Sequence, residues 1–288
     1  MSVQMKKKER PGQALRRVSR QHVDKALKHL QNANLPQAVH GVRKEIKKMR
    51  AVFRLARGGL GRKAYRKTAG MMRLAAKPLA ASRDAWVTQR AFAAITGRKA
   101  RQFPKLKSLV EAGSKRAERD FKDFDFRAVV RHLLEQVGDQ LDRPGLKEIR
   151  WTDIRKRLEK SCRRGHEAYQ LARQQPTPEH FHEWRKRVKY FYYQLEFLRP
   201  DWPPKTRALL EGLEKLGDRI GEDHDLVLLE SFALEQCGPS EEAAELQRLI
   251  DARRKEHGAG IRQLGSRLYA SPPEAVFARV EADLGLGS

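Results

Sequence analysis

The ten residues HGVRKEIKKM at 40–49 return as HEWRKRVKYF at 182–191, an offset of 142 in a chain of 288. His40/His182, Arg43/Arg185, Lys44/Lys186 and Lys47/Lys189 are identical pairs, and Pro36 and Pro178 each stand four residues before the histidine. Arg57 and Arg199 also match, and SRDAWV at 82–87 aligns with DHDLVL at 223–228, pairing Asp84 with Asp225. A repeat at half the chain length constrains the fold more than any local propensity, because both halves must build the same unit. Two similar halves are expected, about 13–143 and 144–288, related by a pseudo-two-fold axis.

The repeated unit is helical. Apolar residues recur at spacings of three and four almost throughout, and no stretch alternates as a strand would. Helix-length segments fall at 13–31, 37–58, 60–78, 83–96, 105–138, 147–175, 178–199, 204–220, 222–236, 240–270 and 273–285, separated by Gly, Pro and Asn breaks. The fold class is therefore all-α, and no low-complexity linker separates the halves. The opening MSVQMKKKERPG is basic and lacks the apolar region of a signal peptide, so residues 1–12 read as a disordered basic tail.

Within the first repeat, His40, Arg43, Lys47, Arg50, Arg54 and Arg57 lie at helical spacing on one side of the helix. Like charges at these spacings repel by a few tenths of a kcal/mol per pair, roughly. The segment contains one acid, Glu45, so the counter-charge must come from outside the helix. Val42, Ile46, Met49, Phe53 and Ala56 form the neighbouring apolar stripe. The second copy repeats the layout, with His182, Arg185, Lys189, Tyr192, Glu196 and Arg199 beside Trp184, Val188, Phe191, Leu195 and Leu198. A basic stripe bordering the core-facing stripe belongs in a groove or between bundles, not on the outermost face.

The charge is also partitioned along the chain. Of 61 Lys and Arg, 29 lie in residues 1–110 beside only Glu9, Asp24, Glu45 and Asp84, leaving 32 cations and 32 acids for the remainder. The whole net charge of +25 thus resides in the first 110 residues and calls for a polyanionic partner. Phosphate fits, since Arg offers a bidentate fork and Lys a compact point charge. Each histidine falls in the first two turns after a proline, near the positive end of the helix dipole. A solvated basic face is the plainer explanation for one such helix; two matching copies weigh against it.

Other clusters carry less. Glu222-Asp223-His224-Asp225 reads as a helix start or salt-bridge node, since consecutive helical residues point in different directions. His180 and His182 do not share a helical face, and neither His40 nor His182 has a nucleophile beside it. No metal site and no cofactor are expected. Two cysteines, Cys162 and Cys237, are too few for a disulfide framework, and no apolar run is long enough for a membrane span. A cytoplasmic location follows as the expectation.

The twin His-x-x-Arg-Lys-x-x-Lys helices, with downstream segments carrying Arg83-Asp84 and His224-Asp225, resemble the CHAD (conserved histidine alpha-helical domain) family. The likeness covers nearly all of the chain beyond the first residues. It implies two helical bundles related by pseudo-symmetry, with long helices around a basic central cavity, and it implies binding of inorganic polyphosphate. By that likeness His40, Arg43, Lys47 and Arg50, with His182, Arg185 and Lys189, would line the cavity, and the stripe and repeat add Lys44, Arg54, Arg57 and Lys186 as candidates to bind the polyanion. Asp84 and Asp225, read from their place in the repeat, would orient Arg or Lys side chains of the stripes. Lys25 and Lys28 on the preceding helix, and Arg66, Arg73 and Lys77 on the following one, are further candidates. The second copy departs from the pattern where Tyr192 and Glu196 replace Arg50 and Arg54.

Three function classes stand at this stage. The first is a non-enzymatic polyphosphate-binding module, with association to polyphosphate granules left open. The second is a basic protein binding nucleic acid weakly and without sequence preference. The third is a phosphohydrolase or phosphotransferase acting on polyphosphate, placed last for want of a metal-carboxylate constellation. Oligomeric state is not readable.

Overall fold

A computed structural model describes residues 3–6, 8–199 and 201–285. Among these residues the chain forms eleven α-helices and no strand. They are α1 Pro11–Leu30, α2 Leu35–Phe53, α3 Arg62–Ala76, α4 Ala80–Thr96, α5 Pro104–Asp123, α6 Phe126–Asp142, α7 Trp151–Gln174, α8 Pro178–Leu198, α9 Pro204–Cys237, α10 Glu241–Leu268 and α11 Pro273–Asp283.

The helix starts follow local chemistry. Asn34 accepts a hydrogen bond from the Gln37 amide at the start of α2, and Thr177 from the His180 amide at the start of α8. Proline occupies the first turn of both. The apolar stripes are buried as their spacing requires: Val42, Ile46 and Met49, and Trp184, Val188 and Leu195, are each at most 2% exposed.

Helices α1, α2, α3 and α6 pack together, and α7, α8, the first part of α9 and α11 repeat the arrangement. The two bundles meet where α2 lies against α8, and their apolar side chains merge into one core. The Gln194 side chain, fully buried, donates to the Ala51 carbonyl at this crossing. The histidine helices thus face one another. A second, smaller core joins α4 and α5 to the later part of α9 and α10, around Phe92, Phe103, Leu106, Leu229, Leu246 and Ile250. This third four-helix unit draws on both halves of the chain.

Three expectations require correction. The segment 105–138 is two helices, broken at Phe124-Asp125, where Asp125 adopts a left-handed φ of 43° and accepts a bond from the Ala128 amide. Asp tolerates that conformation and caps the next helix in the same stroke. Conversely, 204–220 and 222–236 are one helix, so Glu222-Asp223-His224-Asp225 lies within α9 and is not a helix start but a salt-bridge node, with Asp225 on Arg83 and Arg90 and Asp223 on Arg254. The described part of residues 1–12 is not a free tail. Helix α1 begins at Pro11, Val3 and Met5 pack on the core, and the Met5 amide donates to the Phe197 carbonyl at 2.7 Å. Arg17 anchors the same stretch through Glu9 and the Gln4 carbonyl. Residues 1, 2 and 7 lie outside the described residues.

Candidate anion-binding site

A cavity of about 770 Å³ lies where the α2–α8 seam meets the third bundle. From α2 come His40, Arg43, Lys44, Lys47 and Lys48; from α8, Arg185, Lys189, Tyr192, Tyr193 and Glu196. Helix α4 adds Arg83 and Arg90, α9 adds Glu214, Asp218, Glu222 and Asp225, and α10 adds Arg253 and His257. The volume is within the ordinary range of ligand pockets, about 300–1,000 Å³.

The cations are not equally committed. Lys48 pairs with Glu196, Lys189 with Asp218, and Asp225 holds both Arg83 and Arg90. Arg43, Lys44 and Lys47 have no carboxylate ion pair among the described residues. Arg43 is tethered by one nitrogen to the Ala76 carbonyl at 3.1 Å, while its Nε is buried without a hydrogen-bond partner. His257 Nδ1 is in the same state. The α2 wall therefore presents three cations, and two buried ring or guanidine nitrogens remain unsatisfied.

Their mutual repulsion registers in proton affinity. The protein packed around Lys47, and then the charges of Arg185, Arg43 and Arg83, pull its pKa down to about 7 against the opposing effect of Asp225. The Lys47 side chain remains open to the cavity's solvent while protein surrounds it on most sides, as a group on the floor of a deep pocket would. Burial, followed by Lys44, Arg90 and Lys47, also lowers the His40 pKa. His182 and His224 are lowered by burial and neighbouring cations in the same way. An anion entering this space would relieve the repulsion.

Two glycines shape the α8 wall. A Cβ on Gly217 would stand 2.6 Å from Lys189 Cε, and one on Gly221 2.7 Å from an Arg185 terminal nitrogen. These two residues, one turn apart on α9, form the trough in which Arg185 and Lys189 lie. Arg185 Nε donates to the Gly217 carbonyl at 3.1 Å.

Of the residues singled out in the sequence, His40, Arg43, Lys44, Lys47, Arg185, Lys189 and Asp225 meet in the cavity. Tyr192 and Glu196 of the second stripe join them, whereas Arg50, Arg54, Arg57, His182 and Arg199 do not. Arg50 is near enough to oppose the charge of Arg43 yet is not part of the lining. Arg54 and Arg57 lie beyond the α2–α8 crossing, in a second, smaller pocket. The cause is the crossing itself: α8 lies over α2 at Ala51 and Gln194, and α2 tightens into a 3₁₀ turn over Arg54–Arg57. One continuous stripe in the sequence is thereby cut in two.

The other departures are local. The His182 ring turns onto His224, with ring centres 4.9 Å apart, and Lys186 pairs with Glu183. Lys25, Lys28, Arg66, Arg73 and Lys77 are exposed and outside the lining. Among the described residues Asp84 bonds only its neighbour Arg83 and does not match the bridging role of Asp225. Glu45, the one acid of the first motif, is buried against His22 at 2.6 Å and faces away from the cavity. Burial works to raise its pKa, but the bond from His22 and the charges of His22, Lys48 and Lys25 win, leaving the carboxyl below its usual value.

Lys48, Arg83, Arg90, Arg253 and His257 also line the cavity, and the repeat does not single them out as ligands. Arg83 and Arg90 are separated by seven residues in an acid-poor segment, which is a legible helical signal. Arg253 and His257 carry none, because only the packing of α10 against α4 and α9 brings them in.

The family model for the CHAD domain matches residues 17–234. The chain belongs to the CHAD family. Among solved structures, the CHAD domain from the plant Ricinus communis is similar in fold, with a TM-score of 0.58 at 16% identity over 99% of this chain and 95% of that one. No curated protein sequence matches. Among the described residues of this CHAD chain, no helix is long and apolar enough to cross a membrane.

Proposed function

We propose that this CHAD protein binds inorganic polyphosphate in the basic cavity, as a binding module that does not turn its ligand over. The observation that carries this reading is the α2 wall, where Arg43, Lys44 and Lys47 face the cavity with no carboxylate ion pair among the described residues. A linear chain of phosphates, without bases or sugars, supplies repeated negative charge to a concave site of this size. The cations ring several helices, as a ligand threaded through the junction would require.

The proposed lack of turnover rests on how four of the five lining carboxylates are used. Glu196, Asp218 and Asp225 are each tied to a cation, and Glu214 accepts from the Tyr192 hydroxyl at 2.8 Å. These four are thus engaged and not held ready as a general base, and the fifth, Glu222, is exposed to solvent. Location in the cytoplasm, and on polyphosphate granules in cells that form them, belongs to the same proposal.

The test is a competition titration of the purified protein with long-chain polyphosphate, duplex DNA and RNA at several salt concentrations. Polyphosphate should bind tightest and displace either nucleic acid. Nucleic acid binding as tightly, at matched phosphate concentration, would make the site a general basic surface. Sustained phosphate release with added divalent metal, abolished by a change at Lys47, would identify an enzyme.

A further inference from the structure

On the other face of α8, helix α7 places Arg157, Lys160, Ser161 and Arg164 at i, i+3, i+4 and i+7, a single stripe. The stripe meets Arg54 and Arg57 of the 3₁₀ turn and Arg187 and Tyr190 of α8 in a small open pocket, about 30 Å³ against about 770 Å³ for the cavity. On α8, Arg187 and Tyr190 lie about 140–200° around the helix from Arg185, so the two sites are on opposite sides. From this geometry we infer a second anion-binding site, built for one compact phosphate or pyrophosphate group.

The charge balance supports it. Among the described residues Arg54, Arg57, Arg157, Lys160 and Arg164 form no carboxylate ion pair, and only Arg187 does, with Glu183. The nearby carboxylate of Glu167 offsets part of the repulsion felt by Arg164 but bonds none of these cations. Arg157 Nε is buried without a hydrogen-bond partner. Arg54 donates to the Tyr190 oxygen at 3.3 Å and stacks over its ring, leaving the Tyr190 O–H free to donate into the pocket. Ser161 is spent on the Arg157 carbonyl. Three elements far apart in sequence thus bring their cations to one pocket, five of them without a carboxylate partner among the described residues. A tetrahedral oxyanion satisfies several forks at once.

The site does not depend on what fills the cavity, and its test keeps the two apart. Pyrophosphate and inorganic phosphate are titrated calorimetrically, at low salt, into full-length wild type, Arg43→Gln/Lys47→Met and Arg157→Gln/Arg164→Gln. A saturable site for pyrophosphate should survive in the first variant and weaken at least about tenfold in the second, with helicity preserved by circular dichroism. Lys160→Met, a milder change on the same stripe, should weaken it several-fold. Long-chain polyphosphate then separates the ligand sources. A reduced salt slope in the Arg157→Gln/Arg164→Gln variant means the pocket takes part of the chain, and an unchanged slope means it takes a free compact phosphate. Pyrophosphate affinity unchanged in Arg157→Gln/Arg164→Gln, or no saturable binding left in Arg43→Gln/Lys47→Met, overturns the inference.

Discussion

Lys48 on α2 and Glu196 on α8 are joined by both carboxylate oxygens, at 3.0 and 3.1 Å, across the seam between the two histidine helices. Both line the cavity, so this pair removes one cation from the anion's reach and adds one repelling charge. Glu196→Gln should free Lys48 and raise polyphosphate affinity by a few-fold. The salt dependence of log K should also steepen, by up to about one unit, as one more cation becomes available. Weaker binding in this variant, with the fold intact, would show that the pair holds the cavity's shape and not its charge.

The glycine trough makes a sharper prediction, because stability and binding should move apart. Gly221→Ala sets a methyl against the tip of the Arg185 side chain, which is flexible and can move away. Within a helix, alanine is favoured over glycine by roughly 0.8–1 kcal/mol, so the melting temperature should hold or rise. Affinity for polyphosphate should nevertheless fall, since Arg185 is pushed off its position in the cavity. Loss of both stability and binding would mean that α9 cannot accept the methyl at all.

The histidine helices are legible in the sequence because one period fixes two things at once. Residues such as Ile46 and Val188 must be buried, and the cations beside them must therefore open on a groove. The repeat adds that the two grooves face each other, and α2 does pack on α8. What could not be read is where one helix crosses the other. Arg54 sits at the same helical angle as Arg43, yet α8 passes between them at Ala51. Gly221 reads locally as a break, while its lack of a side chain serves Arg185 from another helix. The third bundle is invisible for a related reason, since its core residues Phe92 and Leu246 meet only in three dimensions.

Proton uptake gives a third prediction. The Lys47 pKa of about 7 lies below its ordinary value of 10.5, so between those limits the unfolded chain binds more protons than the folded one. Stability of the ligand-free protein should therefore rise with pH across about 7 to 10.5, and level off at its lower value below 7, where both states carry the proton. Binding runs the other way: the charged amine favours the anion, so affinity should be greatest below pH 7 and decrease as pH rises. His40, also lowered, adds charge of the same sign in the acid range. Lys47→Met should flatten both profiles. Chemical denaturation and polyphosphate titration over pH 6–10 measure them, and a Lys47→Met protein with wild-type profiles would place the titrating group elsewhere.

The cavity's claim to be the polyphosphate site is tested most directly by the salt slope of two paired variants. Long-chain polyphosphate is titrated at three or more salt concentrations into wild type, Arg43→Gln/Lys47→Met and the exposed control Arg66→Gln/Arg73→Gln. If Arg43 and Lys47 neutralise phosphates, the slope of log K against log salt should fall by roughly 1.5 units in the first variant, on the nucleic-acid scale of about 0.7–0.9 per contact. The control pair, outside the lining, should leave the slope nearly unchanged. Equal slopes for wild type and Arg43→Gln/Lys47→Met, with helicity retained, would contradict the account.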